Sequence, residues 1–93
     1  MYVVAQHTIL DREQAMAAGH GLFAPPPGFT LHLFAPNADA SKAICLWEAD
    51  SVEAVRDLVD GAIGPYSRNE YFAVDEGTAV GLQAATAGAG AAR

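Results

Sequence analysis

Cysteine is almost absent: Cys45 is the single one in 93 residues. That excludes an intramolecular disulfide and every zinc-knuckle spacing. Basic residues are nearly as scarce. Arg12, Lys42, Arg56, Arg68 and Arg93 are scattered through a chain of net charge −6. Phosphate backbones are held by clustered Lys and Arg, so nucleic acid is excluded as a partner. No apolar run approaches the roughly 20 residues of a membrane span. MYVVAQHTIL lacks a basic n-region and runs at once into polar residues, so no secretory signal is expected. A soluble, cytoplasmic protein is the expectation. Walker sequences, nucleophile motifs and a GxGxxG between strand and helix are also missing. The late GAG lies in a Gly/Ala-rich stretch.

What is present is apolar. Hydrophobic residues make up 52% of the chain and charged ones 17%, an excess of greasy surface for a domain this small. Covering it by oligomerisation would add stability that a short chain lacks. One domain is expected over residues 1–76, followed by a flexible Gly/Ala-rich tail over 77–93.

Residues 2–10 read as a strand. Asp11 caps a helix over about 12–23, with Ala15, Ala18, Gly19 and Leu22 at helical spacing. Pro25 to Gly28 end it. Strands over 29–35 and 43–49 flank a turn built from Pro36, Asn37, Asp39 and Ser41. Asp50 and Glu53 have capping-box spacing and open a second helix. Val52, Val55, Leu58, Val59, Ala62 and Ile63 form its apolar stripe. A last strand is expected over about 69–75. The order βαββαβ predicts an α+β, ferredoxin-like fold: a four-stranded antiparallel sheet with two helices on one face.

If the central strands pair as a hairpin centred near Ala40, Phe34 opposes Leu46 and His32 opposes Glu48, with Cβ atoms roughly 4.5–5.5 Å apart. Alternation then places Phe29, Leu31, Leu33, Ala43, Cys45, Trp47 and Ala49 under the helices. Thr30, His32, Phe34, Ile44, Leu46 and Glu48 fall on the other face. That face is too apolar for water. A homodimer packed sheet to sheet, a dimeric α+β barrel, is the expected assembly. On the first strand His7 shares the more apolar set with Val3, Ala5 and Ile9.

His32 and Glu48 are the leading site candidates. An imidazole beside a carboxylate can ligate a transition metal, move a proton, or simply fix the sheet register. His20 sits where a helix C-terminus favours a cation. His7, His20, His32 and Glu48 would make an N/O metal set if they converged. Cys45 reads as a small buried hydrophobe, Trp47 as core, and Tyr66 as a rim aromatic.

TLHLF on the second strand and ICLWEADSVEAVR across the third strand and second helix carry a resemblance. They are similar to a family of small bacterial ferredoxin-like domains often labelled nickel-binding. The matching positions are His7, His32, Cys45, Glu48 and Ala49, over roughly residues 2–75. That family tends to carry a further His in the second helix, where this chain reads RDLVDGA, and its helix-one His is only loosely matched by His20. The resemblance implies nickel binding; with the apolar sheet face it gives the first reading, a small homodimer that binds a divalent transition metal, nickel, copper or zinc, through His32 and Glu48. The alternatives are a cofactor-independent enzyme of monooxygenase, isomerase or cyclase type, with His32 as general base oriented by Glu48, and an interaction module without chemistry. The enzyme reading puts its pocket between sheet and helices or at the dimer seam.

Overall fold

A computed structural model of the chain describes residues 1–82. The flexible-tail expectation for 83–93 lies outside the described residues. Strand β1 (Tyr2–Ile9) leads to α1 (Arg12–Gly19), a 3-10 turn (His20–Phe23), β2 (Thr30–Pro36), β3 (Lys42–Glu48), α2 (Val52–Ile63), a second 3-10 turn (Gly64–Tyr66) and β4 (Ser67–Ala73). The strands form one sheet in the order β2-β3-β1-β4, every pairing antiparallel. This is the ferredoxin-like α+β fold that the element order predicts.

Local chemistry accounts for the boundaries. Asp11 accepts a hydrogen bond from Gln14 N at 3.0 Å and starts α1. The helix then tightens into the 3-10 turn at His20 instead of running to 23. Helix α2 is capped by Ser51, whose Oγ accepts from Ala54 N at 3.0 Å. Asp50, expected in that role, lies one residue outside. In the hairpin turn Asn37 Oδ1 accepts from Lys42 N and Asp39 Oδ1 from Ser41 N, both at 3.0 Å. Ala40 adopts φ 58° there.

The core lies between the sheet and α2. Val55 and Val59 are fully buried against Val3, Ala5 and Trp47. Helix α1 packs closely on α2 at Gly19, where a Cβ would meet Ile63 Cγ2 at 3.2 Å. A larger residue there would push the helices apart.

The hairpin register departs from the expected one. Thr30 opposes Glu48 and Leu31 opposes Trp47. An irregularity at His32 then brings Leu33 opposite Leu46 and Phe34 opposite Cys45. A bulge inserts one unpaired residue and so reverses the alternation beyond it. Leu33 consequently turns to the open face, where it is 47% exposed. Phe34 turns inward and packs on the core. Both were expected on the opposite faces.

Candidate functional site

Strand parity puts His7 under the helices, where it is buried. The hydrogen bonds around it form a chain that runs from the surface of α2 into the interior. Tyr71 OH donates to Asp60 Oδ1 at 2.5 Å. Asn69 Nδ2 donates to the same carboxylate at 2.9 Å. That bond fixes the Asn69 amide with Oδ1 facing inward, where it accepts from Ser67 Oγ at 2.5 Å. His7 Nδ1 lies 2.7 Å from Asn69 Oδ1 and must carry the proton, because the amide oxygen only accepts. Nε2 therefore keeps its lone pair. It faces Cys45 Sγ at 3.3 Å and accepts a hydrogen bond from the thiol. The carboxylate thus sets the tautomer of a ring that it does not touch.

Burial decides the charge state of this pair. It pushes the His7 pKa down, against the opposing pull of the Asn69 hydrogen bond and the Asp60 charge. It pushes the Cys45 thiol up to about 12, while the neighbouring Trp47 indole pulls the other way. Both groups rest neutral. The indole Nε1 lies near enough to Cys45 to favour a thiolate, yet it is buried and makes no hydrogen bond among the described residues. Burial, then the Asp60 hydrogen bond, raises the Tyr71 pKa, so its hydroxyl stays a donor. The Arg56 guanidinium sits 5.6 Å from the centre of the Tyr71 ring.

His7, Cys45 and Trp47 border an apolar cavity of about 40 Å³ between the sheet and α1. Met16 and Phe23, 40% and 49% exposed, stand at its outer edge. A water needs about 10–15 Å³ of such volume, so a cavity of about 40 Å³ holds about three waters or a short organic group.

The opposite face of the sheet carries the pair singled out in the sequence. His32 Nε2 and Glu48 Oε1 are 3.0 Å apart, although the bulge leaves His32 without a partner across the ladder. The imidazole is 27% exposed. Its ring tilts against Tyr2 at 5.2 Å. Tyr2, His32, Leu46, Gly81 and Leu82 border an open recess of about 190 Å³. His20 lies apart, at the end of α1, edge-on to Phe23.

The four expected metal donors therefore fall in three places. His7 is beneath the helices, His32 and Glu48 are on the far face, and His20 is in the helix layer. Among the described residues no group of three or more His, Cys, Asp or Glu side chains is placed to hold one ion. No helix among the described residues is long and apolar enough to cross a membrane. Neither a protein-family model nor a curated protein matches the chain. Function has to be argued from the site itself.

Sequence reasoning missed Asn69, Asp60, Ser67 and Tyr71. The signal was there in β4, where alternation puts Ser67, Asn69 and Tyr71 on the helix-facing side. A polar triplet on a face that should be greasy marks a network.

Proposed function

We propose that this chain binds a small, mostly apolar molecule in the cavity between α1 and the sheet and acts on it without a cofactor, with His7 Nε2 as the proton-handling group. The observation that carries this reading is the relay Asp60–Asn69–His7, which ends in a lone pair directed at Cys45 on the wall of an apolar cavity. A histidine needed only for packing has no use for a tautomer fixed from the surface. An oriented base at an apolar cavity wall has the geometry of general acid–base chemistry. The base in this reading is His7, in place of the His32 suggested by the sequence, because His32 stands in an open recess.

Acetone is a suitable probe of the cavity, and the single tryptophan is a built-in reporter. Saturable quenching of Trp47 emission is expected. Ala15, buried at the cavity wall, becomes a plug in Ala15→Leu, and saturable quenching should disappear while the far-UV circular dichroism is kept. Linear, unsaturable quenching in both proteins would sink the reading.

A second reading rests on the open face. Leu33, Ile44 and Phe72 are each more than 40% exposed there. Lys42 and Arg68 balance Glu48 and Glu70 on it, while Asp11, Glu13, Glu53 and Asp57 lie on the helix side or at the helix starts. A near-neutral apolar face on an acidic chain suits a second copy of the same chain, because like-charge repulsion is kept away from the contact. The His32–Glu48 pair supplies two donors per chain toward a divalent transition metal such as nickel. Sedimentation velocity with and without nickel chloride tests both parts. The expected result is a dimer that Leu33→Asp converts to monomer, and stoichiometric nickel uptake that His32→Ala abolishes. A monomeric wild type, or uptake unchanged by His32→Ala, overturns the corresponding part.

A further inference from the structure

We propose that Cys45 is a nucleophile, and that the cavity takes the acyl group of a short-chain activated ester or thioester. This rests on the reading of the cavity as a binding site and gives it a substrate class. Three observations meet at one place. His7 Nε2 lies 3.3 Å from Cys45 Sγ with its lone pair directed at the thiol, the ring held by Asn69 and behind it Asp60. Nucleophile, base and orienting group stand in the order that covalent catalysis requires. Beside the thiol is the Trp47 indole N–H, fully buried and without a hydrogen-bond partner among the described residues. An orphaned buried donor carries a desolvation cost that a ligand oxygen would relieve. The cavity that these groups share is apolar and about 40 Å³.

The size selects the substrate. A cavity of about 40 Å³, room for about three waters, takes an acetyl or propionyl group and nothing much longer. The leaving group then projects past Met16 and Phe23 toward solvent.

The chemistry balances within these groups and water. As Cys45 Sγ attacks the acyl carbon, His7 Nε2 takes the thiol proton. The carbonyl oxygen gains negative charge and accepts from the Trp47 N–H. Collapse breaks the bond to the leaving oxygen or sulfur, which takes the proton back from His7. A water then attacks the Cys45 thioester with its proton going to Nε2. The departing thiolate recovers that proton, and a short carboxylic acid is released. The thiol rests neutral, so it reacts with a carbonyl seated beside it and not with any passing alkylating agent.

The test uses the full chain with p-nitrophenyl acetate. The expected result is a burst of p-nitrophenolate equal to the protein concentration. Intact mass and peptide mapping should place one acetyl group on Cys45. Cys45→Ser removes the thioester. Trp47→Phe keeps a large ring but loses the donor, and should slow the burst at least tenfold with the far-UV circular dichroism kept. Acetylation confined to Lys42 or the N-terminus, or a Trp47→Phe burst as fast as wild type, overturns the proposal. If acetone binds saturably but Cys45 is never acetylated, the covalent step falls and the cavity reading stands. If acetone does not bind either, both fall.

Discussion

Trp47→Ala is expected to destabilise the protein by about 3–5 kcal/mol, the usual cost of deleting a buried aromatic. Trp47 has no exposed surface. It sits on β3, paired with Leu31 of β2 on one side and Val3 of β1 on the other. Phe29 meets its ring edge-on at 6.3 Å, and Val55 and Val59 of α2 belong to the same cluster. Removing the indole opens a void at the meeting point of three strands and a helix. A chain of this length has about 5–14 kcal/mol in all, taking roughly 0.05–0.15 kcal/mol per residue. The melting temperature should fall by at least about 12 °C, at roughly 4–8 °C per kcal/mol for a domain this small. Thermal melts followed by circular dichroism check this. A fall of only a few degrees would mean that the site collapses around the missing ring.

The same residue shows what the sequence could say. Strand parity placed Trp47 and Cys45 under the helices, and both are there. Parity is robust on β3 because that strand is regular and pairs on both sides. It failed on β2 past His32, where one unpaired residue exchanged the faces of Leu33 and Phe34. A bulge on an edge strand has no strong residue signature, so periodicity alone could not reveal it. The His32–Glu48 contact survived the wrong register for a physical reason. Thr30 occupies the position opposite Glu48, but a carboxylate and an imidazole are long enough to meet diagonally across the ladder. A correct contact was thus reached through an incorrect pairing.

The His7 network was legible only in part. An imidazole among Val3, Ala5 and Ile9 was visible as an anomaly on an apolar strand. Its partners come from β3, β4 and α2, at separations of 38 residues to Cys45 and 62 to Asn69. No local pattern joins such residues. They meet because β1 is a central strand with β3 and β4 on its two sides. The fold brings the polar groups together, and side-chain geometry then decides which nitrogen carries the proton.

Acidification should destabilise the protein from about pH 6.5 downward, through His7. Cys45 of β3, Asn69 of β4 and Asp60 of α2 face or support the ring. From α1 the shared cavity is bordered by Ala15, Met16 and Gly19, which carry no charge. Burial holds the folded pKa of His7 below the usual imidazole value. The unfolded chain therefore binds a proton that the folded chain resists. Stability is full above the unfolded value of about 6.5 and is lost as pH falls from there toward the folded pKa. The slope approaches about 1.4 kcal/mol per pH unit for one proton, and the window opens above the carboxylate range. Protonation also removes the lone pair that faces Cys45, so proton-handling at the cavity should fade as pH falls through the lowered folded pKa, at the lower end of that window. Urea unfolding at pH 7.5, 6.5 and 5.5 measures the first effect. The wild-type midpoint should drop at the lowest pH, and His7→Gln, which cannot titrate, should flatten the dependence. Superimposable wild-type curves would mean that the ring takes up its proton without loss of packing, and the buried neutral imidazole would have to be abandoned.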